Sequence, residues 1–277
     1  MTRTDLPTPT TARPAVPWVR VAVAGLIAGF ASGLFGVGGG IVIVPALALL
    51  ARFPHKLATG TSLTAIVPIS IAGAAGYAVA GELDVAYAAL IALGAFAGAV
   101  AGTRWLRTVS GPALQIGFAV VMILTAARLA AGGEGDGAGR ADVTVATVVG
   151  LVVLGIAAGV LAGMLGVGGG VIIVPVLTIA FGLPLVLAKG TSLAVIIPTA
   201  IVGTLRNRSA GLTALRPGLV VGMAGVITAL GAAQLSLDLD PELSALLFAG
   251  LLVAVAARLA VTARHDAAGA GAEPDGL

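Results

Sequence analysis

Two glycine runs have the clearest chemical potential in the sequence. The first reads GVGGG from Gly36 to Gly40 and precedes Pro45, and the second reads GVGGG from Gly166 to Gly170 and precedes Pro175. Consecutive glycines break a helix, and the helix that restarts after them presents backbone N–H groups and the positive end of its dipole. Such a helix start suits an anion. Tight helix packing or a simple hairpin turn would also explain either run.

A Gly-Thr-Ser-Leu motif follows each glycine run, at 60–63 and again at 190–193. Its hydroxyl groups could bind substrate oxygens, and hydrogen bonding between membrane helices would explain them as well. Lys189 stands directly before the second motif, where the first has Thr59. This lysine is either a counter-charge for an anion or a side chain that extends from a helix end to the membrane interface.

Acidic residues are missing from the apolar segments, and both histidines, His55 and His265, lie in loops outside them. The chain also has no cysteine. Proton relays, catalytic triads and intramembrane metal sites all depend on such groups. The sequence therefore predicts a protein that is not an enzyme and has no catalytic residue, no metal and no cofactor.

The composition predicts an all-α integral membrane protein. Of the 277 residues, 58% are apolar and only 10% are charged, with a mean hydropathy of +1.11. A soluble domain carries about 25% charged residues, so a soluble enzyme and a disordered chain are both excluded. The net charge of +3 comes from short basic clusters between apolar runs. This pattern predicts a lipid bilayer and no nucleic acid as partner, and it is compatible with a homo-oligomer.

The elements that must position these motifs form two repeats, related by an offset of 130 residues that takes Gly36 to Gly166. The sequence predicts membrane repeats at 18–130 and 143–260, a linker at 131–142, and disordered cytoplasmic tails at 1–17 and 261–277. Each repeat has about four to five membrane segments, expected at 18–35, 41–51, 57–80, 85–103 and 112–130, and at 143–165, 171–181, 187–205, 218–235 and 243–260. The second segment of each repeat is too short to cross a bilayer comfortably, so it is a half-helix of a Gly-broken hairpin or a tilted short span.

Loop charges predict that the two repeats have opposite orientations in the membrane. The 82–84 loop is acidic, whereas the corresponding 206–216 loop is basic. Corresponding loops of opposite sign indicate an inverted-topology repeat with both termini in the cytoplasm. Arg128 and Arg258 match each other across the repeat and are interpreted as interfacial anchors at helix ends.

The doubled glycine run, each copy followed by a proline and then by Gly-Thr-Ser-Leu, resembles the sulfite exporter TauE/SafE family. The resemblance covers about 20–260 and implies a permease of a bacterial-type plasma (inner) membrane, associated with sulfite and organosulfonate export. Carried onto this chain, it implies backbone donors in the glycine runs, hydroxyl ligands in the two triplets, and a lysine that orients the anion. The resulting substrate-binding set is Gly38, Gly39, Gly40, Thr61, Ser62, Gly168, Gly169, Gly170, Lys189, Thr191 and Ser192.

Three functions fit these observations. The first is a secondary transporter that moves a small anion by alternating access of the two inverted repeats. The second is an uncoupled, channel-like anion facilitator lined by the same donors. The third is a non-transporting membrane subunit that scaffolds a partner, which would have no need for two glycine breaks.

Overall fold

The computed structural model describes residues 17–105, 111–132 and 144–270, and in these ranges the chain is helical without strands. Ten helices follow one another along them: α1 (Trp18–Phe35), α2 (Gly40–Leu50), α3 (His55–Val79), α4 (Val85–Trp105), α5 (Gly111–Ala130), α6 (Val145–Leu165), α7 (Gly170–Ala180), α8 (Leu185–Ser209), α9 (Leu215–Asp238) and α10 (Pro241–Ala270). The all-α membrane class expected from composition is confirmed.

Six of the described helices are long and apolar enough to cross a membrane, namely α1, α3, α6, α8, α9 and α10. The helices α2 and α7 have only 11 residues each. At about 1.5 Å per residue, such a helix covers roughly half of a bilayer's hydrocarbon core. The chain is thus a multi-pass membrane protein that contains two short helices.

Left-handed glycines produce the breaks that separate the short helices from their neighbours. Gly36 ends α1 at φ 71°, and Gly39 precedes α2 at φ 73°. Gly166 and Gly169 do the same around α7, at φ 66° and 83°. A residue with a Cβ is strained in this conformation, so the glycine runs are required by the turn itself.

The first helix of each repeat packs along the fourth helix of the other repeat. Along α1, the glycines Gly25, Gly29 and Gly33 face the backbone of Val221, Gly225 and Ala229 on α9 in the same order. Glycines of α4 and α6 make the matching contact, with Gly94 against Val152 and Gly155 against Ile91. Without side chains at these points the helix backbones approach closely, as small residues allow in membrane proteins.

The helices α3 and α8 cross at the centre and run antiparallel. Gly73 of α3 lies against Leu193 of α8, while Gly203 of α8 lies against Leu63 of α3. Two apolar cores flank this crossing. One joins α1, α2, α3 and α9, the other joins α4, α5, α6, α7 and α10, and α8 contributes side chains to both.

Helix bounds differ most from the expected segments at the end of the chain. The helix α10 continues to Ala270, so residues 261–270, which were expected in a disordered tail, are helical. Alanine and arginine dominate residues 256–264, and both favour helix. The predicted tail at 1–17 and the linker at 131–142 lie almost entirely outside the described residues.

Candidate functional site

The two glycine runs meet in the centre of the molecule. A Cβ built on Gly40 would lie 2.5 Å from the Cα of Val167, and one built on Gly170 would lie 2.9 Å from the carbonyl oxygen of Gly36. Real Cβ atoms do not approach backbone this closely. The contact between the glycine runs therefore depends on glycine at both of these positions.

The serines of the two triplets bridge the repeats reciprocally. Ser62 of α3 donates through Oγ to the carbonyl oxygen of Gly166 at 2.7 Å, and Ser192 of α8 donates to the carbonyl oxygen of Gly36 at 2.9 Å. Both serines are fully buried. Each triplet thus binds the helix break of the opposite repeat.

The threonines of the triplets bind the opposite repeat as well, one turn away. Thr61 Oγ1 accepts a hydrogen bond from the backbone N–H of Ala214 at 3.0 Å, and Thr191 Oγ1 accepts one from that of Asp84, also at 3.0 Å. The glycines before these threonines lie against the carbonyl oxygens of Leu212 and Glu82, respectively. Each triplet therefore also holds the turn between the third and fourth helices of the other repeat.

The remaining glycines of the predicted set pack on apolar side chains and on helix backbone. Gly38 and Gly168 both lie against Ile196, whereas Gly39 and Gly169 lie against the backbone of Ala28 and Ala158. The structure thus brings the predicted residues into one central region, where the described hydroxyl groups contact protein backbone. Their role as substrate ligands stays a prediction.

Lys189 is fully buried and does not extend to an interface, contrary to one of the two interpretations of the sequence. Its Nζ donates to Ser244 Oγ at 2.8 Å and to Ser236 Oγ at 3.1 Å. Ser236 in turn donates to the carbonyl oxygen of Leu34 at 3.2 Å, near the end of α1. The backbone of Lys189 also packs on Gly36, so this lysine lies directly beside the first helix break.

Among the residues that the structure describes, this polar cluster is present at only one of the two breaks. Tyr77 completes it by donating to the carbonyl oxygen of Gly33 at 2.8 Å. At the corresponding positions of the other break, the sequence has Thr59 for Lys189, Leu114 for Ser244 and Asn207 for Tyr77. Thr59 packs on Gly166, as Lys189 does on Gly36, but it brings no charge. The two breaks therefore have similar backbone packing, but only the first has a lysine beside it.

A cavity of about 130 Å³ adjoins both glycine runs, which contribute Gly40 and Gly169 to its wall. A single water molecule needs only about 10–15 Å³ of such space. His55 and Arg258 are the polar side chains in its lining. The full lining is Gly40, Ile41, Val44, His55, Met122, Leu161, Val167, Gly169, Val171, Ile172, Val255, Arg258 and Leu259.

Sequence reasoning missed both polar residues of this cavity. His55 begins α3 instead of lying in a connection, and the exposed Arg258 donates to the carbonyl oxygen of Ile41 at 3.2 Å, at the start of α2. Its interpretation as an interfacial anchor stays a prediction. The available signal was the position of Arg258 inside the predicted segment 243–260. Within the described ranges, no group of three or more metal-ligating side chains is found.

Comparisons with known proteins agree with these features. A model of the family described as "Sulfite exporter TauE/SafE" matches residues 2–129 and 151–275. The chain is 34% identical over 111 residues to the "Probable membrane transporter protein YunE" of Bacillus subtilis (strain 168), a match that covers 40% of each chain.

It is also 53% identical over 53 residues to the "Probable membrane transporter protein MJ0441" of Methanocaldococcus jannaschii, covering 19% of this chain and 20% of that protein. The matched part is therefore less than half the length of either relative. No solved structure matches. Because the family model covers both repeats, each with its glycine run and its triplet, the chain belongs to the sulfite exporter TauE/SafE family.

Proposed function

We propose that the protein is a secondary transporter that moves a small anion, sulfite or an organosulfonate, across the plasma membrane. The family and the printed names of the two relatives support transport. The main observation in its support is the contact between the two helix breaks at the centre. There Ser62 and Ser192 each donate a hydrogen bond to a carbonyl oxygen in the glycine run of the other repeat. Non-helical backbone at membrane depth is tolerated where it is buried in protein or lines a cavity, and transporter sites use this arrangement.

The two repeats are proposed to have inverted topology. Three helix pairs support this proposal: α3 runs antiparallel to α8, α1 packs along α9, and α6 packs along α4. The Thr61–Ala214 and Thr191–Asp84 hydrogen bonds join equivalent positions of the two repeats. In an inverted pair, these two bonds lie toward opposite faces of the membrane.

Alternating access is proposed to occur by movement of the two apolar cores relative to each other across the α3–α8 crossing. Separation of the glycine runs would release the Ser62 and Ser192 hydroxyls from the carbonyl oxygens of Gly166 and Gly36. The same hydroxyls would then donate to anion oxygens, so that substrate replaces the contacts between the repeats. Such an exchange lets ligand binding favour one conformation over another. Lys189 would place its buried Nζ beside the first break, where it can donate hydrogen bonds.

A flux assay in proteoliposomes tests this function. The purified protein should release sulfite or an organosulfonate from loaded vesicles, and the double variant Ser62→Ala, Ser192→Ala should slow release at least about tenfold, because a lost charge-assisted hydrogen bond costs roughly 1.5–3 kcal/mol. Ser209→Ala is the matched control, because Ser209 is exposed and its described hydrogen bond stays within its own helix end, to the carbonyl oxygen of Arg206. Equal flux from vesicles with and without protein would contradict transport of these anions.

A further inference from the structure

The turns that follow the two short helices have the same backbone geometry. The N–H of Phe53 donates to the carbonyl oxygen six residues earlier, and the N–H of Leu183 does the same, both at 3.1 Å. The residue just before each of them is left-handed, with φ 54° at Arg52 and φ 68° at Gly182. Glycine is the usual residue at this position of a helix end, because it has no Cβ.

Arg52 departs from that rule without an evident structural gain. Among the residues that the structure describes, it is the one non-glycine residue with a positive φ. Its side chain is exposed and has no hydrogen bond or ion pair with a described residue. Backbone strain of this kind clusters where a side chain serves function. The fold thus keeps a strained arginine whose charge supports no described contact.

The two turns lie at opposite ends of the antiparallel α3–α8 pair and differ in charge. After Arg52, the helix α3 begins with His55 and Lys56, which are both exposed. The helix α8 begins instead with Leu185, which is 6% exposed, and Val186. His55 also lines the cavity beside the glycine runs. The basic turn therefore lies at the edge of that cavity, whereas its equivalent, at 181–186, has no charged residue.

We propose that Arg52 is a capture residue that binds the transported anion at the end of the molecule where α3 begins. The inference rests on the proposed function and names the residue that brings the anion to the cavity. Guanidinium and ammonium groups both bind the oxygens of an oxyanion, and Lys56 adds a second cation one turn away. Clustered cations of one sign raise the local concentration of anions and their rate of association.

Side-specific kinetics test the proposal. Sulfite uptake by the full chain would be measured in right-side-out and inside-out membrane vesicles from the same cells. Arg52→Gln removes the charge and retains a side chain in the left-handed turn. Its KM should rise about two- to fivefold at low ionic strength, the range of an exposed charge contact, and only for entry from one face.

The maximal rate should stay unchanged, and the difference in KM should shrink as salt is added, because salt screens exposed charges. A merely structural role of Arg52 would instead change the maximal rate from both faces. An unchanged KM at both faces, or an equal change at both, would overturn the proposal.

Two further variants separate charge from position. Arg52→Lys keeps a cation and should keep the KM close to that of the parent protein. The exchange variant Arg52→Gly, Gly182→Arg should move the lower KM to the other face, and a Cβ at Gly182 would meet nothing within 4 Å. Arg52→Gly alone should raise the melting temperature, because glycine relieves the left-handed strain, so a loss of capture there cannot come from misfolding. An exchange variant with the parent's preference would refute the role of Arg52.

Phospholipid headgroups carry the same kind of anionic oxygens and are the other source of a ligand for this turn. Proteoliposomes of phosphatidylcholine alone, and of phosphatidylcholine with phosphatidylglycerol, distinguish the two sources. Capture of the solute predicts the effect of Arg52→Gln on KM in both lipids. An effect confined to vesicles with phosphatidylglycerol would assign Arg52 to the headgroup and refute capture of the solute.

Thiol reactivity separates this inference from the proposed function. Pro54→Cys and Pro184→Cys each place a single thiol at equivalent exposed positions of the two turns. An anionic methanethiosulfonate should react faster than a cationic one at the first position only, and Arg52→Gln should abolish that preference. If this holds but no sulfite is transported, the transport proposal is wrong and the turn remains an anion site. If sulfite is transported but neither KM nor reagent preference depends on Arg52, capture is wrong and transport stands.

Discussion

The glycines that flank the short helices combine two constraints, backbone conformation and space. Gly36 has a φ of 71°, and a Cβ there would also lie 2.6 Å from the Cα of Lys189. Gly211 has a similar φ of 72°, but a Cβ there would meet nothing within 4 Å. A substitution at Gly211 therefore introduces backbone strain alone, whereas one at Gly36 introduces backbone strain and a collision with α8.

Gly36→Ala is expected to destabilise the protein clearly more than Gly211→Ala. The control substitution should cost about 1–3 kcal/mol, the range for a non-glycine residue in the left-handed region. Gly36→Ala adds overlap with the backbone of α8, so its loss should exceed that range. Thermal unfolding in one detergent measures both variants. Equal losses would show that the contact between Gly36 and α8 does not limit stability.

The buried lysine depends on its two serine partners. Ser244→Ala removes the shorter of the two hydrogen bonds from Lys189 Nζ and leaves this buried donor with one hydroxyl partner among the described residues. Leaving such a donor unsatisfied costs about 1–3 kcal/mol or more, so the melting temperature should fall. The exposed Ser209→Ala should stay within about 0.5 kcal/mol of the parent protein. No difference between the two would show that the bond to Ser244 contributes little.

The helices associate through glycines whose spacing of four residues places them on one face. On α1, a Cβ at Gly29 would overlap the carbonyl oxygen of Gly225, whereas Gly231 of α9 has open space around it. The apolar composition of both helices does not distinguish these glycines. Their difference arises from which face of each helix meets a neighbour.

Alanine substitutions at these two glycines should differ in their effect on stability. Gly29→Ala should separate α1 from α9 and lower the unfolding temperature, because the backbones can no longer touch. Gly231→Ala should be neutral or stabilise by about 0.5–1 kcal/mol, since alanine favours helix and collides with nothing. Thermal unfolding of both variants checks this. A stabilising Gly29→Ala would show that the α1–α9 interface tolerates wider spacing.

For the whole molecule, the decisive question is the orientation of the two repeats. Ala80 and Ala210 occupy equivalent positions at the ends of α3 and α8, and both are exposed. The chain has no cysteine, so Ala80→Cys and Ala210→Cys each introduce a single thiol. With inverted repeats, a membrane-impermeant maleimide added to intact cells should label only one of the two variants. Both should react after permeabilisation, and labelling of both in intact cells would reject the inverted topology.

The sequence by itself determined the class and the elements. Composition required a membrane protein, because 10% charged residues cannot cover a water-facing surface of this size. Repeated glycines placed the breaks at 36–40 and 166–170 because only glycine adopts the left-handed turn without strain. These are local properties, so one chain suffices to recognise them. The triplets were likewise identified as candidate polar groups from residue type and register.

Only the tertiary structure decided what those groups contact. The Ser62–Gly166 bond joins residues 104 positions apart, and the Lys189–Ser244 bond joins residues 55 apart. These partners come together because the first helix of each repeat packs along the fourth helix of the other. No local sequence pattern encodes that packing. The cavity with Arg258 was hidden for the same reason. Arg258 is exposed on α10, and its hydrogen bond to the carbonyl oxygen of Ile41 depends on how α10 packs next to α2. Contacts between distant segments are a property of the assembled bundle and not of either segment alone.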